Sequence, residues 1–264
     1  MDKTGGELDE LEALACAFAL KDERRTGWQL RGIEDPETVA DHSWGVALLC
    51  LVYSERAGID PDRALRLAVI HDIAEAETGD VATRVDPEKQ TVSTAEKEVR
   101  EREAMADIAA PFDFLPLWEE YEARETAEAR FVKDMDLIDM CLQALVYERE
   151  GRYEKGENEA FERFEDLDEF FATAEPRLRT EVGKELFSEI RERYEAARQC
   201  LQLARSVLYG RRRRPRLLDL DVALLPRPAC VPRKPGETAH HVAHHDRDPD
   251  SYLGPARNEH EIVG

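Results

Sequence analysis

Two histidines and several carboxylates occur at positions where they could share a metal ion. His71 and Asp72 are adjacent in the apolar stretch of residues 68–75, and Glu75 follows one helical turn later. Residues three and four apart share a helix face, so Glu75 is expected beside the His-Asp pair. Burying an imidazole and a carboxylate on an apolar helix is costly without a partner, and a metal cation satisfies both groups.

His42 lies in a second apolar helical pattern, and it is the only other histidine before residue 240. Two later acids, Asp134 and Asp136, lie in a third such pattern, whose periodicity turns Asp136 inward and Asp134 outward. Two imidazoles with two carboxylates suit a borderline divalent cation such as Mn, Co, Fe, Ni or Zn. The residues alone leave a second reading open, in which each histidine is a hydrogen-bonded core residue and each acid faces solvent.

Five short strings extend this pattern: Arg25-Thr26-Gly27-Trp28, Arg31-Gly32-Ile33, Val39-Ala40-Asp41-His42-Ser43-Trp44, His71-Asp72-Ile73-Ala74-Glu75 and Thr78-Gly79-Asp80. In this order they resemble the HD superfamily of metal-dependent phosphohydrolases, and the local strings resemble its 5′-deoxynucleotidase branch. The resemblance spans roughly residues 15 to 205. It implies an all-α, HD-domain helical bundle that hydrolyses deoxynucleoside 5′-monophosphates to deoxynucleoside and phosphate.

The resemblance also implies a role for individual residues. The implied metal ligands are His42, His71, Asp72 and Asp136. It is the resemblance that selects Asp136 over Asp134 as the last ligand. Glu75 matches the family's catalytic glutamate, with a general acid/base or water-orienting role. Asp80 matches a second essential carboxylate, which would bind a substrate hydroxyl or relay a proton.

Arg25 and Trp28 match the branch's substrate-reading positions. An arginine offers planar donors to phosphate or sugar oxygens, and a tryptophan face against deoxyribose would leave no room for a 2′-hydroxyl. Two residues separate the pair here, as in eukaryotic and archaeal relatives, whereas the bacterial enzymes have them adjacent. Trp28 also fits a core or lid anchor. Arg31 and Lys133 are secondary phosphate candidates, with exposed salt bridges as the alternative.

Composition narrows the classes of partner. The chain has 58 acidic and 37 basic residues and a formal net charge of −21. A surface this acidic argues against nucleic-acid binding, which needs a basic footprint, so a substrate phosphate must be attracted locally by metal and arginine. The five cysteines are scattered and are expected to be reduced thiols. Neither a transmembrane run nor a signal peptide is expected, which predicts a cytoplasmic location.

Helical periodicity and cap signals predict the elements. Asp35 and Asp60, each followed by proline, are predicted to cap helices. The second of these helices is expected to run through His71 to Ala76, and another helix is expected near residues 158–173.

The chain is predicted to divide into a catalytic domain, residues 1–209, and a low-complexity, disordered tail, residues 210–264. The resemblance implies a homodimer. Two other functions stay open: a different HD-type nucleotide phosphohydrolase or phosphodiesterase, and a non-catalytic, metal-stabilised nucleotide-binding protein.

Overall fold

The computed structural model describes residues 8–153, 156–157, 163–164 and 166–209. Their helices are α1 Glu10–Ala17, α2 Thr26–Gln29, α3 Val39–Ala57, α4 Pro61–Ile70, α5 Glu75–Thr78, α6 Thr94–Ala109, α7 Leu115–Ala123, α8 Ala127–Glu150, α9 Asp168–Ala174 and α10 Glu181–Tyr209. Turns of 3₁₀ helix lie at Phe18–Lys21, Pro87–Lys89 and Glu175–Arg177. The predicted all-α fold is confirmed. The predicted tail, residues 210–264, lies outside the described residues.

One small antiparallel pair interrupts the helical pattern. Strand β1, Gly156–Glu157, pairs with β2, Arg163–Phe164. The helix predicted near residues 158–173 is therefore wrong at Arg163–Phe164, and α9 begins only at Asp168. Within the described ranges, no helix is long and apolar enough to span a lipid bilayer.

Helix α8 is the centre of the bundle, because α3, α4, α7, α9 and α10 all pack against it. It begins after Thr126, whose side chain caps the first turn, and ends at Gly151, which adopts a left-handed conformation with φ 61°. Its buried apolar stripe includes Phe131, Met135 and Ile138. Polar groups on α8 are consequently fixed by packing on several sides.

The helix-start signals were only half right. Asp60 caps α4 as predicted, with its carboxylate accepting two backbone N–H groups. Helix α3 starts later than predicted: Thr38 is its cap and forms a reciprocal capping box with Asp41, while Asp35 has φ 47°. The reason is a tertiary contact, since Thr38 pairs with Arg24 in an isolated antiparallel bridge that keeps the chain extended before α3.

The predicted continuous helix through Ala76 is broken. Helix α4 ends at Ile70, residues 71–74 form a turn, and α5 ends before Gly79, where φ is 74°. Backbone hydrogen bonds between residues three apart hold the turn, including the one that the Glu75 N–H donates to the Asp72 carbonyl at 3.0 Å. The turn carries both His71 and Asp72, so two successive side chains reach one site.

Candidate metal centre and substrate pocket

Two buried imidazoles face each other between α3, which carries His42, and the turn after α4, which carries His71. The Nε2 atoms of His42 and His71 lie 3.3 Å apart. Their other ring nitrogens are engaged: His42 Nδ1 is 2.7 Å from Asp139 Oδ2, and His71 Nδ1 is 2.7 Å from the Ala68 carbonyl. Both partners are acceptors, so each Nδ1 carries a proton and each Nε2 is directed at the shared site. Such second contacts fix the orientation of metal-binding histidines.

Carboxylates complete the cluster. Asp72 Oδ2 lies 3.0 Å from His71 Nε2 and 3.6 Å from His42 Nε2, and Asp136 Oδ1 lies 3.3 Å from His42 Nε2. The donor atoms of His42, His71 and Asp72 all lie within 4.8 Å of one another. All four implied ligands therefore converge, and their mix of nitrogen and oxygen donors fits a divalent cation.

The cluster attracts positive charge. Burial opposes protonation of His42, as does the charge of Arg25, but hydrogen bonds with Asp136 and Asp139 raise its pKa to about 10. Burial likewise opposes ionisation of Asp72, yet the neighbouring His71 holds the pKa of Asp72 below its usual range. A cation held between these groups would supply the positive charge that the carboxylates demand.

Asp134 does not belong to this cluster. It is fully buried, so the predicted outward orientation is wrong. Its carboxylate accepts hydrogen bonds from Arg179 N at 2.9 Å and from Thr180 N and Oγ1 at 2.6 Å each. Asp134 therefore anchors the start of α10, while Asp136, two residues later, reaches the histidines.

Asp139 is a residue that the sequence reasoning missed. It lies one helical turn after Asp136 and contacts His42 from behind. Helix α3 comes close to it at Gly45, where an added Cβ would lie 2.0 Å from Asp139 Oδ1. The i+3 spacing of Asp136 and Asp139, matched by that of His42 and Gly45, is the sequence signal that could have revealed this contact.

Glu75 is buried beside the cluster, with 3% of its surface exposed. Lys97 of α6 donates to its Oε1 at 3.2 Å and also pairs with Glu101. Glu75 Oε2 has no hydrogen-bond partner among the described residues. Burial, followed by the charges of Asp72 and Asp80, raises the pKa of Glu75 well above its usual value. No sequence pattern singled out Lys97, which lies on a highly charged helix.

Arg25 and Asp80 are connected through the start of α2. The Asp80 carboxylate accepts from Thr26 N at 2.6 Å, and its carbonyl accepts from Thr26 Oγ1 at 2.8 Å. Arg25 Nη1 lies 3.5 Å from Asp72 Oδ2. Burial opposes the charge of Arg25, but the acids around it raise its pKa further. Asp80 thus fixes the loop that directs a permanent cation towards the ligand set.

Trp28 lines the pocket, yet only 1% of its surface is exposed. Its ring stacks on Phe170 at a centroid distance of 3.9 Å and meets Tyr147 edge-on at 5.1 Å. Its Nε1 donates to Glu37 Oε1 at 2.8 Å. A sugar can contact only the part of the ring that these aromatic neighbours leave uncovered, so Trp28 is anchored in the core as well as bordering the site.

The cluster opens into a pocket of about 810 Å³, including its solvent-filled mouth. Cationic side chains line it in an otherwise acidic protein: Arg25, Arg31, Arg84, Lys97, Lys133 and Arg177. Arg31 and Arg84 both pair with Glu169 of α9, and Lys133 Nζ lies 2.5 Å from Asp136 Oδ2. Arg31 and Lys133 are therefore pocket residues, and the exposed salt bridges considered for them are absent from the described residues.

Comparison with known proteins identifies the family of this chain. A family model described as HD domain matches residues 17–179, and the chain belongs to that family. A Bos taurus relative named 5′-deoxynucleotidase HDDC2 is 40% identical over 149 residues, covering 54% of this chain and 70% of the relative. A Schizosaccharomyces pombe relative named 5′-deoxynucleotidase hdd1 is 37% identical over 152 residues, covering 54% and 74%.

Solved structures from two archaea share the fold. The PH0347 protein from Pyrococcus horikoshii OT3 is 30% identical with a TM-score of 0.55, covering 70% of this chain and 98% of that one. A conserved hypothetical protein from Pyrococcus furiosus is 31% identical with a TM-score of 0.55, covering 69% and 99%. The resemblance to the HD superfamily, stated from the sequence, is confirmed.

Proposed function

We propose that this protein is a metal-dependent phosphomonoesterase that hydrolyses deoxynucleoside 5′-monophosphates to deoxynucleoside and phosphate. Relatives named 5′-deoxynucleotidase support the reaction. The observation that carries the proposal is the convergence of two imidazole Nε2 atoms with two carboxylates, beside the buried Glu75 and at the base of a cation-lined pocket.

His42, His71, Asp72 and Asp136 would hold the cation, and their donor set suits Mn, Co, Fe, Ni or Zn. A bound divalent ion lowers the pKa of a water and offsets charge on a phosphate oxygen. Asp139 and the Ala68 carbonyl hold the two imidazoles in the ligating orientation.

Glu75 is assigned the proton transfer to the leaving 5′-oxygen. Its burial and its neighbouring acids favour the protonated form, which is the form a general acid needs. Lys97 holds one carboxyl oxygen, and the other oxygen has no partner among the described residues. Arg25, positioned by Asp80 through Thr26, would bind a phosphate oxygen next to the ligand set.

The substrate's sugar is placed beside Trp28, where the fixed ring would limit space for a 2′-hydroxyl. The ring is held by Phe170 and by Glu37, so it cannot swing away without losing those contacts. Steric rejection of this kind depends on a rigid wall.

A homodimer is proposed on separate grounds. Trp44, Leu48, Leu51 and Val52 form an exposed apolar stripe on α3, with Trp44 69% exposed. Contiguous exposed apolar side chains mark interaction surfaces. Sedimentation of the wild type against Leu48→Glu would test whether this stripe joins two copies.

A cytoplasmic location and a 1–209 catalytic domain stay predictions from the sequence.

Phosphate release by metal-stripped protein, with Mn or Co added back, tests the activity. The substrates are dAMP, AMP and 3′-AMP, and we expect metal-dependent release from dAMP alone. Equal release from AMP would remove the role of Trp28 in excluding the 2′-hydroxyl. Absence of release with metal bound would favour a phosphodiesterase or a nucleotide-binding protein.

Two variants test the assigned roles. His71→Ala is expected to lose both the metal and turnover. Glu75→Gln is expected to keep the metal and to lose about 100- to 10,000-fold in kcat, the usual contribution of a positioned proton donor. Glu77→Gln is the matched control, because Glu77 lies on the same helix and is exposed. Full activity in Glu75→Gln would refute the general-acid assignment.

A further inference from the structure

One pocket cation differs from the others in having no hydrogen-bond or ion-pair partner among the residues that the structure describes. Carboxylates pair with five of the six: Asp72 with Arg25, Glu169 with Arg31 and Arg84, Glu75 with Lys97, and Asp136 with Lys133. Within the described part of the chain, the Arg177 guanidinium has neither a hydrogen bond nor an ion pair, although it lines the same pocket. In a protein with 58 acidic residues, an unpaired arginine facing a pocket needs an explanation.

Arg177 ends the 3₁₀ turn that follows α9, and Thr173, one turn earlier, also lines the pocket. From this position the positive charge of Arg177 repels that of Lys133. Burial lowers the pKa of Lys133, Asp136 raises it, and the nearby Arg177 lowers it again. Two cations on one pocket wall repel each other, and an anion bound between them would offset that repulsion.

We propose that Arg177 is a substrate-binding residue that contacts the phosphate oxygens of the substrate together with Lys133. The nucleotide part of this statement rests on the proposed function, whereas the anion site needs only a phosphate group. A guanidinium suits this task because its planar donors bind two oxygens at once and it stays charged at any physiological pH. Lys133 divides its charge between Asp136 and the ligand, whereas no described carboxylate pairs with the donors of Arg177.

Arg177→Ala and Arg177→Gln test the site against Arg179→Ala. Arg179 is the matched control, because its side chain is exposed and it lies two residues away outside the pocket lining. The main measurement is calorimetric binding of inorganic phosphate to the metal-loaded protein. Parallel measurements give the KM for dAMP, the affinity for uncharged deoxyadenosine and the metal content.

Both Arg177 variants should weaken phosphate binding about 10- to 100-fold, the range expected for a lost charge-assisted contact, and raise the KM for dAMP similarly. Arg177→Lys should recover part of the loss. Arg179→Ala, metal content and deoxyadenosine affinity should not change. Retained metal content shows that a weakened variant is folded, and Arg177→Gln preserves the side-chain bulk.

Phosphate affinity that is equal in Arg177→Ala and Arg179→Ala would overturn the proposal. A loss of deoxyadenosine affinity with unchanged phosphate affinity would also overturn it, since Arg177 would then contact the base. If the wild type bound phosphate through Arg177 but hydrolysed no deoxynucleotide, the proposed function would fail and the anion site would stand.

Discussion

Helix α8 carries carboxylates on two faces, and a glycine of a neighbouring helix packs closely against each of them. An added Cβ at Gly45 of α3 would lie 2.0 Å from Asp139 Oδ1, and one at Gly183 of α10 would lie 2.4 Å from Asp134 Oδ2. Asp139 receives the Nδ1 of His42, whereas Asp134 receives backbone and hydroxyl donors from the start of α10. The first contact orients a candidate ligand, and the second joins two helices.

The difference shows that burial alone does not distinguish a carboxylate of the candidate site from one that only stabilises the fold. The groups that bind the carboxylate make that distinction. A buried carboxylate must be compensated by hydrogen bonds or opposite charge. Neutral donors that belong to the fold fully occupy Asp134. Asp136 instead faces Lys133 and His42, and these charges, working against burial, hold its pKa well below the usual value. Only the second environment leaves an oxygen for a cation.

The largest contrast is expected between Asp136→Asn and Asp134→Asn. Asp136→Asn should lose bound metal and reduce turnover by more than about 1,000-fold, because the cation and its charge stabilisation go together. Asp134→Asn replaces one carboxylate oxygen by an amide group that cannot accept a hydrogen bond, so at least one donor of Arg179 or Thr180, just before α10, loses its acceptor. This loss should cost about 2 kcal/mol of unfolding free energy. Metal analysis, kcat per folded molecule and denaturant titration measure the two effects.

The opposite pattern of effects in these two variants would contradict the roles assigned to Asp136 and Asp134. Asp136→Asn with full metal content would remove Asp136 from the ligand set. Asp134→Asn with normal stability but no metal would make Asp134 part of the site.

The two glycines offer a second, smaller contrast. In Gly45→Ala the new methyl group displaces Asp139 from His42, and metal affinity should fall about 10- to 100-fold, as for other lost orienting contacts. In Gly183→Ala the methyl group displaces Asp134, and stability should fall by about 1–3 kcal/mol without a change in metal affinity. Competition with a chromophoric chelator and thermal unfolding measure these quantities.

Helix propensity sharpens this test. Alanine is a better helix former than glycine by about 1 kcal/mol, so both substitutions would stabilise an uncrowded helix. A destabilised Gly183→Ala therefore reports the clash itself. Unchanged metal affinity in Gly45→Ala would show that Asp139 can yield without moving the imidazole.

Local patterns in the sequence predicted much of the fold, whereas the ligand set stays a prediction whose members are close together in the structure. The apolar stripe of α8 and the Asp60 cap follow from residue spacing that is independent of distant contacts. The resemblance to the HD superfamily selected His42, His71, Asp72 and Asp136, and the fold brings these four side chains together.

What the sequence did not predict depends on contacts between elements distant in the chain. In the sequence, Lys97 is one of many charged residues of α6. Its role becomes visible only in the folded chain, where it pairs with Glu75 of α5. The sequence left Trp28 open between a substrate-reading residue and a core or lid anchor, and the contact of its ring with Phe170, which is far away in sequence, could not be foreseen. Asp35 failed as a cap because Thr38 pairs with Arg24. The periodicity of a helix indicates which of its side chains are buried and which are exposed. It does not indicate which residues of other helices a buried side chain contacts.

The smallest expected effects come from Asp139→Asn and Thr180→Val, which each weaken one hydrogen bond of an α8 carboxylate. The asparagine oxygen can still accept from His42 Nδ1 but carries no charge, so metal affinity should fall only about 3- to 10-fold, below a full orienting loss. Thr180→Val removes the 2.6 Å hydroxyl contact to Asp134 and should cost about 1 kcal/mol of stability, with metal affinity unchanged. The absorption spectrum of the cobalt-loaded protein separates orientation from ligation: Asp139→Asn should keep the wild-type band shape at saturating cobalt, because the same four side chains bind the ion. A changed band shape would mean that Asp139 contributes to the coordination itself, and the division between an orienting and a ligating carboxylate on α8 would have to be redrawn.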